Sequence, residues 1–217
     1  MKRIKIDEAI LSANDLIARE NRAIFDRHRA LVLNIISAPG AGKTSLIRST
    51  IEKLSDLRIV VIEGDITGSL DAQRLEDITP HILQINTGSA CHLDARMIRS
   101  ALDYLPPGPI DLILIENVGN LVCPAEFRVG EDHKIALIST AEGDDKPLKY
   151  PLLFQLASLL LINKIDLLPH TDFSIDRAIR WAGQINPKIE TITLSCKTGE
   201  GLERWIEWIS RHLNAKG

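Results

Sequence analysis

Leu31-Val32-Leu33-Asn34-Ile35-Ile36-Ser37-Ala38-Pro39-Gly40-Ala41-Gly42-Lys43-Thr44-Ser45 reads as a buried strand, a glycine loop and the start of a helix. An apolar run broken only by Asn34 suits a strand covered on both faces. Gly40 and Gly42 allow the backbone to close on a phosphate with no side chain in the way. Lys43 is placed for the β- and γ-phosphates, and the Thr44 hydroxyl for Mg²⁺. Ala41 and Ser45 complete the nucleotide-facing set, and the helix opening here adds its N-terminal dipole. The phosphate-loop pattern starts on glycine, whereas this chain has Ser37. The strand-loop-helix context outweighs that departure, but the loop alone leaves ATP and GTP open.

Outward from this stretch, short apolar runs alternate with helical patterns. Strands are predicted at Leu31 to Ile36, Arg58 to Ile62, Ile82 to Ile85, Asp111 to Ile115, Ile135 to Ser139, Ser158 to Ile162 and Thr191 to Leu194. Helices are predicted at Lys43 to Lys53, Leu93 to Leu105, Leu152 to Leu156, Ile175 to Gln184 and Leu202 to Leu213. The expected fold is a P-loop α/β domain over residues 30–217, a mostly parallel sheet of about seven strands with helices on both faces. Residues 1–29 read as an N-terminal helical arm, with Ile10, Ile17 and Ile24 on one stripe and Ala13 and Phe25 beside them. That helix is expected to pack across the edge of the sheet, with a partner-binding arm as the alternative.

The sequence has 217 residues, 45% of them hydrophobic, enough for one domain with its own core. A net charge of -3 gives no bias toward nucleic acid or an anionic membrane. Met1-Lys2-Arg3-Ile4-Lys5 does not resemble a secretory signal, and the longest apolar run, Leu156 to Ile162, is too short to span a bilayer. Three scattered cysteines argue against a disulfide framework. A reduced, cytoplasmic, soluble protein is expected.

Asn163-Lys164-Ile165-Asp166 decides the base. The Asp166 carboxylate can accept from guanine N1–H and the 2-amino group. Adenine offers neither donor, and a site built this way discriminates by about 10⁴-fold or more. Asn163 would support the loop, the Lys164 stem would lie over the ring, and backbone N–H groups of Ser195-Cys196-Lys197 would face guanine O6. GTP is therefore the expected nucleotide. Asp65 and Asp71 are hard oxygen donors for Mg²⁺ in a first switch, although Asp71 also suits a helix N-cap. Glu116, at a strand end, is placed as a second carboxylate near the magnesium, and Gly119 could offer its N–H to the γ-phosphate. With no glutamine after Gly119 to orient water, slow hydrolysis is expected.

Cys91-His92 and Cys123 add soft ligands suited to Zn²⁺ or Ni²⁺. Cys91-His92 alone would more commonly be a buried thiol and a capping histidine. Two or three ligands per chain would require a second copy to close a four-coordinate site. Cys196 is given a packing role, while His28, His81, His133, His170 and His212 read as surface or capping residues.

Glu63-Gly64-Asp65, Asn86-Thr87-Gly88, Cys91-His92-Leu93-Asp94-Ala95, Glu116 to Ala125, Glu142 to Pro151 and Asn163 to Asp166 together resemble the HypB family. These GTPases assist nickel insertion during maturation of [NiFe] hydrogenase. The resemblance implies a nucleotide-dependent homodimer with a nickel or zinc site carried by Cys91, His92 and Cys123. It also implies a nickel-chaperone partner of the HypA type that engages the N-terminal region, and the hydrogenase large-subunit precursor as an indirect partner. Some members carry Cys-rich or His-rich nickel motifs near the N-terminus, but residues 1–29 hold no Cys and only His28. The competing readings are a urease accessory GTPase, which would carry Cys-Pro-His, a signalling G protein with a structural zinc, and a P-loop kinase.

Overall fold

The computed structural model describes residues 6–65, 77, 79 and 81–216, and within them each expected apolar run forms a strand. These are β1 (Leu31–Ser37), β2 (Ile59–Asp65), β3 (Ile82–Asn86), β4 (Leu112–Glu116), β5 (His133–Ser139), β6 (Leu159–Asn163) and β7 (Glu190–Thr193). They lie in one sheet in the order β3-β2-β4-β1-β5-β6-β7. Every neighbouring pair is parallel, so each connection is a crossover. The helices are α1 (Ile6–Arg27), α2 (Lys43–Lys53), α3 (Ala95–Leu102), α4 (Cys123–Glu126), α5 (Lys146–Lys149), α6 (Pro151–Leu156), α7 (Ile175–Ile185) and α8 (Leu202–Lys216). None of the described helices is long and apolar enough to cross a membrane.

Strand alternation divides the core. Leu31, Leu33 and Ile35 of β1 pack with Leu46 and Ile47 of α2 and Trp205 and Trp208 of α8. Trp205 Nε1 donates to Thr50 Oγ1 at 2.8 Å, satisfying two buried polar groups at the α2–α8 contact. On the other face Val32 joins Phe25 of α1 and Ile98 of α3, while Ile36 joins Leu153 and Phe154 of α6 and Ala178 of α7. Helix α3 starts at Ala95 and not at the expected Leu93, because the Asp94 side chain caps it by accepting from Met97 N–H at 2.8 Å.

The N-terminal helix departs from expectation in its packed face and its position. It lies against α3 and the Arg128–Gly130 backbone, on the face of the sheet and not across its edge. Its buried residues are Asn14, Ala18, Asn21 and Phe25, while Ile10 of the expected stripe is 51% exposed. Asn14 Oδ1 accepts from Ala95 N–H at 2.9 Å and its Nδ2 donates to Arg128 O at 2.8 Å. Asn21 Nδ2 donates to Ala95 O at 2.8 Å. These amides serve backbone groups at the start of α3 and in the loop before β5, so α1 docks both through Phe25 in the core and by hydrogen bonds that an apolar count cannot register.

β1 lies mid-sheet, with β4 on one side and β5 on the other. A parallel sheet whose strand order diverges about such a strand opens a crevice beyond the carboxyl ends of the strands. The loops after β1, β4 and β6 meet there with the end of β2.

Candidate nucleotide and metal sites

The loop after β1 is fixed before any ligand is considered. Gly42 caps α2 with φ 104°, in the left-handed region, and a Cβ there would run into Asn163 Nδ2. Asn163 Nδ2 donates to Ala41 O at 2.9 Å, and Lys164 Nζ donates to Gly40 O at 2.6 Å. Ser37, where the pattern wants glycine, leaves the loop intact: its Oγ accepts from Lys43 Nζ at 3.1 Å. Lys43, Thr44, Asp65, Glu116 and Gly119 line one cleft of about 590 Å³.

The oxygen donors converge in this cleft. Thr44 Oγ1 donates to Glu116 Oε1 at 2.9 Å. Glu116 of β4 is in register with Glu63 of β2, and both are buried. Two neighbouring buried carboxylates, with Asp65 also on the cleft, form an oxygen-rich set that a hard divalent cation fits. Glu63 appeared in the sequence only within the Glu63-Gly64-Asp65 motif and was given no role of its own. Asp71 lies outside the described residues.

A smaller hollow of about 320 Å³ continues from Gly42 and Ser45 to Lys164, Asp166, Cys196 and Lys197. Ser195 Oγ donates to Asp166 Oδ1 at 2.6 Å, which orients the carboxylate while leaving it further accepting capacity. Of the three backbone N–H groups expected to face the base, two are used internally. Ser195 N–H donates to Glu200 O at 2.9 Å, and Cys196 N–H to Asn163 Oδ1 at 3.2 Å. The triplet's backbone contribution to a base therefore narrows to Lys197. Burial pushes the Cys196 thiol up to about 11, and its side chain packs beside the core cluster of α2 and α8.

Cys91, His92 and Cys123 come together as the sequence suggested, with one ligand atom from each within 4.8 Å of the others. The first two lie on the loop between β3 and α3, and the third opens α4. Cys91 is exposed, and its Sγ is 3.9 Å from His92 Nδ1. The His92 ring lies on Phe127, with centroids 4.1 Å apart and planes inclined by 33°. Burial lowers the His92 pKa against the opposing pull of Asp94 and Glu126, which favours the neutral imidazole a metal requires. Hydrogen bonding to the Cys91 thiol, then burial, raises the Cys123 thiol, so metal binding there must displace a proton. One chain thus gathers three soft donors, with Cys91 exposed and His92 and Cys123 half-buried. Among the remaining histidines, His133 and His212 are not isolated: their rings meet at 4.5 Å beside Trp208.

Residues 31–193 match the family described as CobW/HypB/UreG, nucleotide-binding domain. The chain is 50% identical over 207 residues to the hydrogenase maturation factor HypB of Rhizobium leguminosarum bv. viciae, covering 95% of this chain and 69% of that protein. It superposes on a crystal structure of hydrogenase maturation factor HypB from Archaeoglobus fulgidus with TM-score 0.87 and 36% identity, over 93% of this chain and 99% of that one. For HypB from Helicobacter pylori, a crystal structure in complex with nickel, the TM-score is 0.89 at 34% identity, over 94% and 96% of the two chains.

Proposed function

The chain belongs to the HypB family of hydrogenase maturation factors, P-loop GTPases, and we propose that it uses GTP binding and hydrolysis to control nickel held by Cys91, His92 and Cys123. The observation that carries this reading is the gathering of three soft donors on two loops, one of which runs on from Asn117 and Gly119 of the phosphate cleft. Nickel is the cargo, and zinc suits the same thiolate and imidazole set.

In this reading Lys43 neutralises the β- and γ-phosphates and Gly119 N–H meets the γ-phosphate. Thr44, Asp65 and Asp71 would hold Mg²⁺ with Glu116 alongside, and the ion supplies further charge neutralisation at the phosphates. Asp166, oriented by Ser195, reads guanine; the Lys164 stem lies over the ring and Lys197 N–H faces O6. No glutamine follows Gly119, so turnover is slow.

A second GTP-bound copy brings a further set of soft donors to the ion, giving a nucleotide-dependent homodimer. Residues 1–29, with Ile10 and Leu16 exposed, form the arm that meets a HypA-type nickel chaperone, upstream of the hydrogenase large-subunit precursor. Residues 30–217 carry the GTP and metal sites. The free thiols of Cys91, Cys123 and Cys196 suit the reducing cytoplasm.

Nickel content and mass by light scattering, measured with GDP and with a non-hydrolysable GTP analogue, test this reading. A nickel-bearing dimer with the analogue is expected. A nickel-free monomer in both states would overturn it.

A further inference from the structure

The loop that carries Cys91 and His92 is attached at both ends to residues of the phosphate cleft. At its start Thr87 N–H and Oγ1 donate to Asp65 O at 2.8 and 3.2 Å. At its end Leu93 N–H donates to Asn117 Oδ1 at 3.0 Å. The same Asn117 oxygen accepts from Val118 N–H at 3.0 Å, one residue before Gly119. Leu93 also reaches the other side of the cleft: a Cβ on Gly64 would lie 2.5 Å from Leu93 Cγ, so the side chain sits directly on the backbone beside Asp65.

Asn117 is wholly buried, and its Nδ2 donates to the equally buried Asn34 Oδ1 at 3.1 Å. This polar pair crosses the strands β1 and β4 in an otherwise apolar layer. Asn34 Nδ2 has no hydrogen-bond partner among the described residues. Two apolar side chains would fill the same space without a buried donor left over, so core packing does not account for the pair. What the pair does provide is a fixed orientation for Asn117 Oδ1, the atom shared by the metal loop and the segment leading to Gly119.

We propose that Asn117 is the positioning residue that links the two halves of the metal site to the nucleotide. A shift of the Val118-Gly119 backbone toward a γ-phosphate changes one of the two bonds to Asn117 Oδ1. The other bond then carries that change to Leu93 and to the Cys91-His92 dipeptide before it. Cys123 follows Gly119 along the chain, so both halves of the ligand set respond to one movement. This inference rests on the nickel–GTP coupling proposed above and assigns it a residue.

The test measures Ni²⁺ affinity with GDP and with a non-hydrolysable GTP analogue, for the unsubstituted protein and for Asn117→Ala, Asn117→Asp and Asn117→Leu. The unsubstituted protein should show a ratio between the two states of about tenfold or more, a common size for coupling between sites. Asn117→Ala should bring the ratio close to one while Ni²⁺ still binds with its thiolate charge-transfer band. Asn117→Asp retains the acceptor for Leu93 and Val118 and should recover part of the ratio. A purely structural role would weaken Ni²⁺ equally in both states and leave the ratio intact, and that result in a folded Asn117→Ala overturns the proposal. If Asn117→Ala does not fold, Asn117→Leu decides in its place, since it keeps the buried volume but removes the shared acceptor; an unchanged ratio there overturns the proposal. A ratio of one in the unsubstituted protein removes the coupling itself, a failure distinct from that of the residue.

Discussion

At the proposed guanine wall, Asp166 receives Ser195 Oγ at 2.6 Å and Asn163 bonds to Ala41, Lys164 and Cys196, whereas at the proposed metal cluster Cys91 stands exposed with His92 Nδ1 3.9 Å away. The first region has its groups fixed before a ligand arrives, so little ordering is charged against binding. In the second, Cys91 is exposed while His92 and Cys123 are half-buried, and the thiols are held mainly by one another. A fixed wall suits selection of one base from a pool of similar nucleotides. An open cluster suits an ion that must be received and passed on, with its hold set by backbone contacts leading to the cleft.

Substitutions at the wall, in α1 and at the cluster, together with one pH titration, press on this contrast, from the largest expected effect to the smallest. Asp166→Asn should reverse the preference from GTP toward XTP by about 10⁴-fold, since the amide faces the 2-carbonyl of xanthine and opposes the guanine amino group. Calorimetric titration with both nucleotides checks this, and an unchanged GTP affinity breaks the assignment of the fixed wall. Helix α1 belongs to the rigid part through Phe25, which is 0% exposed. Phe25→Ala should cost about 3–5 kcal/mol in denaturant unfolding; a loss near zero would return α1 to the status of a loose arm.

At the open cluster, Cys91→Ala or His92→Ala should weaken Ni²⁺ by about 10–100-fold with GTP affinity unchanged, a loss of the size seen on altering metal-site residues. Cys196→Ala, whose side chain packs beside the α2–α8 core, should leave nickel titrations as they are.

The smallest effect comes from His133, half-buried between Ser158 and the Trp208–His212 pair. Burial, and then His212, lowers its pKa in the folded protein, against an opposing pull from Asp132. The unfolded chain, with a histidine pKa of about 6.5, therefore binds the proton more readily. The contribution is fully present above that value and is lost as pH falls below it toward the folded pKa. Melting temperature should decline on acidification through this window, and His133→Gln should flatten the decline.

The strands and both nucleotide motifs were legible because they are local: an apolar run, a glycine spacing or Asn163 to Asp166 carries its meaning within a few residues. Cys123 could be joined to Cys91 and His92 because thiols and imidazoles are rare enough to be sought together. Glu63 was quoted within a motif but given no role, because its place beside Glu116 depends on the pairing of β2 with β4, which no local pattern gives. The face of α1 was misread for a related reason. Ile10, Ile17 and Ile24 looked like its buried stripe; Ile24 does pack on the core beside Phe25, but Ile10 is exposed, and Asn14 and Asn21 add hydrogen bonds to backbone groups far along the chain. Asn34 and Asn117 stayed silent likewise: a buried amide reveals its purpose only through the atoms that meet it.

The central claim, that an exchangeable ion is governed from a fixed nucleotide site, is tested most directly by titrating Ni²⁺ into the GDP-bound protein and into the protein bound to a non-hydrolysable GTP analogue. The account predicts affinities that differ by about tenfold or more between the two states. Equal affinities would contradict it and reduce Cys91, His92 and Cys123 to a metal site that ignores the nucleotide.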